Sequence, residues 1–224
     1  MKLRNLIAFV ALTLSFFMPA TAQEKALEGK TIVAFGDSYV RNHRRPYAEA
    51  WHARVAEELG MNYVNLGRNG SSIAFDRTKD GFGPAMTLRY LEIPDSADMI
   101  LIIAGHNDAD YVGGGRGTFE AFEAGLDSLC SGMRQRFPQA CIGWVTPWDV
   151  DRPYFKEVIE QIHKTCDKYG IPVLDMPQVG IIKVNDPAFR EKYFQAPKDT
   201  AHLNAEGHGL LLETGKKFIE GMCK

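Results

Sequence analysis

The sequence predicts an α/β protein with a parallel sheet covered by helices on both faces, and three observations carry that prediction. Short apolar stretches rich in β-branched residues alternate with amphipathic segments of roughly 10 to 20 residues, the pattern of βαβ units. The stretch at residues 98–104, DMILIIA, is almost wholly apolar, as in a central parallel strand buried on both faces. Several stretches end in Gly and small polar residues, which is typical of loops at the carboxyl edge of such a sheet. The pattern fits a three-layer, flavodoxin-like fold with a five-stranded parallel sheet.

The elements follow one another with no linker that would divide the domain. The predicted strands are residues 32–35, 61–66, 98–104, 141–145 and 171–174. The predicted helices are residues 47–59, 118–137, 154–169 and 204–222, with a short helix near 85–90. The helix over 118–137 is the clearest, because Phe119, Phe122 and Leu126 recur at the spacing of one helical face and Pro138 ends it. Residues 176–203 are predicted to form a long loop.

The first 22 residues are predicted to be a secretory signal peptide that precedes the folded domain. A basic start at Lys2 and Arg4 leads into an apolar run over residues 6–18, and the Ala-Thr-Ala sequence at residues 20–22 has the form of a cleavage site. The apolar run is too short to span a membrane. We therefore expect one domain over residues 23–224, exported to the periplasm or secreted.

Composition excludes several classes of partner. The formal net charge is −2 and the basic residues are scattered, so no nucleic-acid partner is expected. After the leader, no segment offers about 18 consecutive apolar residues, so stable membrane insertion is not expected either. The glycines at residues 113–117 follow a polar segment and not a strand, which indicates a mobile loop and not a phosphate-binding one. No cofactor is predicted, and the oligomeric state stays open.

Four cysteines remain to be placed: Cys130, Cys141, Cys166 and Cys223. In an exported protein they could form disulfides, and four cysteines allow three pairings. Cys130 and Cys166 fall inside helical patterns, where a small buried thiol is equally consistent. One or two disulfides and buried free thiols therefore both stay open. The spacing of Cys and His gives no zinc motif, and no metal site is predicted.

Polar residues that follow three of the predicted strands are the candidates for a functional site. Ser38 follows the first strand, Gly70 the second and Asn107 the third. A parallel sheet places these three loops at one edge, and the loop with Asp199 and His202 can fold back to the same edge. Each segment alone is consistent with an ordinary turn. Together they supply a nucleophile, a base and hydrogen-bond donors, the groups that ester cleavage needs.

Four sequence blocks resemble those of the SGNH (or GDSL) hydrolase superfamily: GDS at 36–38, a glycine block at 70, GHND at 105–108 and DTAH at 199–202. They stand in the order of the family's blocks and span essentially the whole predicted mature domain. The resemblance implies the SGNH hydrolase fold, with Ser38 as nucleophile, His202 as general base and Asp199 as the residue that orients the imidazole. It also implies an oxyanion hole made by the backbone N–H groups of Ser38 and Gly70 and the side chain of Asn107.

For residues near these four blocks, the sequence supports less specific expectations. Asp37 is expected to brace the loops by hydrogen bonds, and His208 is expected to be structural. Tyr39 departs from the family's GDSL pattern, and we expect an effect on loop packing only. Three further side chains could line a substrate pocket or be ordinary loop residues: Arg68, Tyr111 and Trp148.

The resemblance and the predicted export lead to one functional hypothesis with open alternatives. The hypothesis is an exported serine esterase that acts on O-acyl groups, in particular O-acetyl groups, of a small-molecule or polysaccharide ester. The GHND block, with His106 in its variable position, is similar to that of rhamnogalacturonan acetylesterases. The alternatives are a lysophospholipase, thioesterase or arylesterase of the same superfamily, or an inactive carbohydrate-binding protein on the same fold.

Overall fold

The computed structural model of the protein describes residues 26–223, and the predicted signal peptide lies outside these residues. Five strands form one sheet in the order β2-β1-β3-β4-β5, and every neighbouring pair is parallel. The strands are β1 (Thr31–Gly36), β2 (Asn62–Gly67), β3 (Met99–Ile103), β4 (Cys141–Val145) and β5 (Val173–Leu174). The predicted three-layer, flavodoxin-like α/β arrangement with five parallel strands is confirmed.

Burial follows position in the sheet. All five residues of β3 are buried, as its unbroken apolar sequence predicts for the central strand. In the edge strand β2 no residue is fully buried, and two of its six residues are the polar Asn62 and Asn65. The core therefore lies around β1, β3 and β4, and the site follows these buried strands.

Helices cover the two faces of the sheet. Within residues 26–223 they are α1 (Ser38–Arg41), α2 (Trp51–Glu58), α3 (Met86–Arg89), α4 (His106–Gly113), α5 (Phe119–Arg136), α6 (Phe155–Lys168), α7 (Met176–Val179), α8 (Pro187–Tyr193), α9 (Ala205–Gly209) and α10 (Leu212–Gly221). Helices α2 and α10 pack against each other, and α5 packs against α3 and α6. The chain leaves β1 towards β2 and later turns back towards β4, so right-handed crossovers place these two groups on opposite faces. None of the described helices is long and apolar enough to cross a membrane.

The contact between α2 and α10 shows how sequence sets the packing distance. A Cβ atom added to Gly215 of α10 would lie 2.3 Å from the ring of Trp51 in α2. Only glycine lets the backbone of α10 approach the indole this closely.

The structure differs from the predicted elements in three places. The predicted helix over 204–222 is two helices, α9 and α10, with a turn at residues 210–211, because Gly207 and Gly209 give α9 a low helix propensity. The predicted loop over 176–203 contains α7 and α8, each of which has an aspartate cap and a proline in its first turn. Helices α1 and α4 begin two and three residues after the ends of β1 and β3, in segments expected to be loops.

One disulfide forms and two thiols stay free. Cys141, at the start of β4, is bonded to Cys223, which follows α10. Cys130 of α5 and Cys166 of α6 are free and buried. The disulfide ties the end of the chain to the sheet, and the two buried thiols belong to the helical core.

Candidate active site

The candidate site lies at the carboxyl edge of the sheet, between β1 and β3, where the strand order reverses. Open α/β sheets bind ligands at such a switch point because the loops on either side diverge and leave a crevice. Ser38 begins α1 immediately after β1, and Asn107 is the second residue of α4, which begins three residues after β3 ends. The fold thus brings the first and third predicted blocks to opposite sides of one crevice.

Ser38, His202 and Asp199 form a continuous hydrogen-bonded chain of side chains. Ser38 Oγ lies 2.9 Å from His202 Nε2, although 164 residues separate them in sequence. His202 Nδ1 lies 2.9 Å from Asp199 Oδ2. The structure therefore places the predicted nucleophile, base and orienting carboxylate in hydrogen-bond contact in the predicted order.

The Asp199 carboxylate is held by its own loop. Its Oδ1 accepts the backbone N–H groups of Ala201 and His202 at 2.8 and 3.0 Å, so Oδ2 is left to accept the proton on His202 Nδ1. Partial burial by itself raises the pKa of Asp199, but the hydrogen bonds from His202 and the two backbone groups outweigh it and hold that pKa below its ordinary value. The carboxylate is therefore ionised and fixed in orientation at neutral pH.

Gly70 adopts a left-handed backbone with φ of +70°, in a turn that is held by the side chains of Arg77 and Phe82. Arg77 Nη1 donates to Gly70 O at 2.8 Å, and the Arg77 guanidinium stacks on the Phe82 ring at 4.4 Å. A Cβ atom on Gly70 would lie 2.2 Å from that ring. A side chain larger than that of glycine does not fit here, because the space beside Gly70 is filled by Phe82.

The predicted oxyanion donors differ in how they are engaged. Among the hydrogen bonds within residues 26–223, the backbone N–H groups of Ser38 and Gly70 have no acceptor. Asn107 Nδ2 already donates to Asp37 Oδ2 at 3.2 Å and to Ser71 O at 3.1 Å. An oxyanion would therefore have to draw Asn107 away from one of these two longer hydrogen bonds.

Two fully buried aspartates hold the loops of the site together. Asp37 Oδ1 accepts the N–H of Tyr39 at 2.8 Å while its Oδ2 accepts from Asn107, so it links the first block to the third. Asp108 accepts the backbone N–H groups of Ile73 and Ala74 and links the third block to the second. Burial raises the pKa of Asp37 to about 6 and that of Asp108 to about 7, against the lowering effect of these hydrogen bonds.

The remaining residues singled out from the sequence have mixed outcomes. His208 is buried, with Nε2 and Asn42 Oδ1 3.1 Å apart, which fits a structural role. Arg68 pairs with Glu92, and Tyr111 stacks on Phe75. Trp148 alone of the three pocket candidates shares a cavity with the Ser38–His202 pair.

Sequence reasoning missed His43 and assigned Tyr39 too small a role. Tyr39 does more than pack: its hydroxyl lies 2.8 Å from His106 Nδ1 and its ring stacks on Trp148 at 4.3 Å. The ring of His43 stacks on His202 with 4.1 Å between ring centroids. The RNHRR sequence after α1 gave no pattern that could have indicated this contact, because it depends on an unusual backbone turn.

A small cavity adjoins Ser38 and His202. Its volume is about 20 Å³, enough for one group of water size. Its walls are mostly apolar, with Ile103, Val145, Trp148, Met176 and Leu203 among the lining residues. Among the described residues, no cluster of His, Cys, Asp and Glu that could hold a metal ion is found.

Comparison with known proteins gives one family and a set of similar structures. The model of the GDSL-like Lipase/Acylhydrolase family matches residues 34–210, more than half of the chain. No curated protein matches the sequence. A crystal structure of a protein from Lactobacillus plantarum is similar with 22% identity and a TM-score of 0.72, over 87% of this chain and 98% of that one.

Two carbohydrate esterases are also among the similar structures. Est24, a carbohydrate acetylesterase from Sinorhizobium meliloti, is 17% identical with a TM-score of 0.64, over 85% of this chain and 98% of that one. A family two carbohydrate esterase from Clostridium thermocellum is 15% identical with a TM-score of 0.65, over 86% of this chain and 63% of that one. At these identities the structural likeness shows a common fold.

Proposed function

Because the chain belongs to the GDSL-like Lipase/Acylhydrolase family, we propose that it is a serine esterase that hydrolyses O-acetyl esters of carbohydrates. The observation that carries the proposal is the unbroken chain of contacts from Ser38 Oγ through His202 to Asp199, with both distances 2.9 Å. A nucleophile, a base within hydrogen-bond reach and a third group that orients the base are the parts that acyl transfer requires.

The proposed reaction runs through an acyl-enzyme. Ser38 Oγ attacks the ester carbonyl carbon while His202 Nε2 takes the hydroxyl proton, and the carbonyl oxygen becomes an oxyanion. The carbon–oxygen bond to the alcohol then breaks, and the departing oxygen takes the proton from His202. Water repeats the sequence in the second half: His202 takes its proton, its oxygen attacks the acyl carbon, and Ser38 leaves with that proton as the free acid departs.

The oxyanion is proposed to bind the N–H groups of Ser38 and Gly70 and the Asn107 side chain. The two backbone donors have no acceptor within residues 26–223, so they can bind the developing charge without breaking a hydrogen bond to another described residue. Asn107 exchanges its contact with Ser71 O or Asp37 for one with the oxyanion, and the gain is largest when the negative charge is full. Asn107 would thus contribute mainly to the transition state.

The acetyl preference rests on the small cavity. The small volume of the cavity beside Ser38 and His202, about 20 Å³, supports a short acyl group over a longer chain. A carbohydrate as the alcohol portion is supported by the carbohydrate esterases among the similar structures and by the predicted export of the chain. Export itself is part of the proposal.

The test compares acyl chains and alcohol portions separately. Hydrolysis of p-nitrophenyl acetate, butyrate and octanoate should fall steeply with chain length, and acetate should be released from acetylated xylan or pectin. Ser38→Ala protein, checked for folding by its thermal unfolding curve, should release neither. Preferential release of long acids from lysophospholipids would favour the lipase alternative. Folded protein that binds a glycan and hydrolyses nothing would favour the inactive carbohydrate-binding alternative.

A further inference from the structure

We propose that His43 is a positioning residue for His202, and that its ring face stabilises the His202 imidazolium when the nucleophile gives up its proton. The inference rests on the proposed function, because it assigns a role in the step that the Ser38–His202–Asp199 set would perform. The observation behind it is the parallel stack of the two imidazoles, with centroids 4.1 Å apart and 15° between the ring planes.

The backbone that delivers His43 is strained. Asn42 and His43 both have positive φ, 60° and 38°. Asparagine adopts this region readily at the end of a helix, whereas at His43 it costs roughly 1–2 kcal/mol. The turn is held by Asn42, whose side chain donates to Pro46 O at 2.7 Å and whose Oδ1 lies 3.1 Å from His208 Nε2. Strain that the surrounding structure enforces next to reacting groups is typical of functional sites. The strained turn aims His43 at His202.

The ring of His43 is poorly satisfied as a structural side chain. The side chain is partly exposed, but its Nδ1 is buried and has no hydrogen-bond partner within residues 26–223. A buried polar atom without a partner costs roughly 1–3 kcal/mol, so stability alone would favour an apolar side chain here. A buried nitrogen without a partner at His43 is explained if the aromatic ring has a function that offsets this cost.

The role of the His43 ring follows from the positive charge that His202 acquires during the reaction. When Ser38 attacks, His202 becomes an imidazolium, with Asp199 on its Nδ1 side and the His43 ring over its face. A cation over an aromatic face is stabilised, and more strongly where water is excluded. Burial lowers the pKa of His43, and the positive charges of His202 and Arg44 lower it further, while the negative charge of Asp199 raises it by less. The His43 ring is therefore neutral when His202 is charged.

Two variants separate the aromatic face from simple filling of space. His43→Phe keeps a flat aromatic ring, and His43→Leu fills similar space with no ring; both remove the unsatisfied nitrogen and both face the same positive φ. With p-nitrophenyl acetate at pH 8, we expect kcat of His43→Phe within about threefold of the parent. We expect kcat of His43→Leu to be lower by roughly three- to thirtyfold, with KM unchanged. His163→Leu removes an imidazole that contacts Asp175 and serves as the matched control, with parent kcat expected.

A second measurement does not depend on turnover. NMR titration of the His202 imidazole, assigned through loss of its resonances in His202→Gln, should give a pKa about one pH unit lower in His43→Leu than in His43→Phe. The other groups facing His202, Ser38 and Asp199 among them, are the same in both variants. Equal His202 pKa values in the two variants would overturn the inference. Absence of ester hydrolysis in the parent would overturn the proposed function and leave this titration to decide the role of His43.

Discussion

Substitution of Asp199 by Asn tests the geometry of the triad with the smallest possible change in shape. In the structure, Asp199 Oδ1 accepts two backbone N–H groups at 2.8 and 3.0 Å, and Oδ2 accepts from His202 Nδ1 at 2.9 Å. The side chain is thus surrounded by donors on both sides. An asparagine has one acceptor and one donor end, so one of the two sides must meet its NH₂ group.

The two orientations have unequal costs. If the NH₂ group faced the backbone, it would oppose two N–H donors, which leaves two polar groups unsatisfied at roughly 1–3 kcal/mol each. The favoured orientation therefore keeps the oxygen on the backbone and turns NH₂ towards His202 Nδ1. Nδ1 must then accept, the ring proton moves to Nε2, and the nitrogen facing Ser38 Oγ has no lone pair left to take the hydroxyl proton.

The expected result is a loss of roughly 10⁴-fold in kcat, the size seen when a triad imidazole is held in the wrong tautomer. The assay is p-nitrophenyl acetate hydrolysis at saturating substrate, with the thermal unfolding midpoint measured on the same samples. The midpoint should stay close to the parent's, because the volume and the backbone contacts are kept.

Asp175→Asn is the matched control. Asp175 also pairs with a histidine, His163, at 2.7 Å, and also accepts a backbone N–H, from Gln178 at 2.9 Å, but it does not contact the triad. The same chemical change there should leave kcat within about twofold. A folded Asp199→Asn protein that retained a tenth or more of the parent's kcat would refute the tautomer argument.

Three further predictions concern the donors and the stability of the fold. Gly70→Ala should lower both kcat and the unfolding midpoint, because the added methyl group clashes with the Phe82 ring. Gly81→Ala is the control: its φ is +82° but the space around it is open, so the unfolding midpoint should fall only by the backbone cost and kcat should be retained. Asn107→Ala should lose roughly 10²–10³-fold in kcat with little change in KM. A rise in KM of that size with kcat unchanged would show that Asn107 binds the substrate in the ground state and would contradict its role in the oxyanion hole. Burial lowers the pKa of His52 to about 4 and of His208 to about 3, so as pH falls from 6.5 towards 3 the unfolded chain binds protons at these positions that the folded chain does not, and the histidine contribution to the free energy of unfolding decreases. The raised pKa values of Asp37 and Asp108 act in the opposite direction over part of this range, so the prediction concerns the difference between variant and parent. In urea unfolding at a series of pH values, His208→Gln should lose less stability than the parent as pH falls.

The architecture could be predicted from sequence because its determinants are local and repeated. The apolar run of β3 and the helical periodicity of α5 each specify an element without reference to the rest of the chain. Helices α1 and α4 could not be predicted in this way. Each is too short to show a helical periodicity, and each begins close to the end of a strand, so its conformation depends on contacts across the crevice, such as that between Asp37 and Asn107.

The residues of the site were predicted, but several of the hydrogen bonds and contacts among them were not. The order of the four blocks indicated that Ser38, Asn107 and the loop with His202 meet at one edge of the sheet. It did not indicate that Asn107 already has two acceptors or that His43 lies across His202. These features depend on side-chain directions and on consecutive positive φ angles, which a periodic pattern of apolar residues does not encode.

Covalent labelling of Ser38 tests the central claim most directly, because it asks whether this hydroxyl is the nucleophile. Folded protein is treated with a fluorophosphonate, its intact mass is followed together with p-nitrophenyl acetate hydrolysis, and the adduct is located by peptide mapping. The account predicts one adduct per chain, on Ser38, formed in step with the loss of hydrolysis, and no adduct in Ser38→Ala. Folded, hydrolytically active protein that carried no adduct on Ser38, or was inactivated by an adduct on another residue, would contradict it.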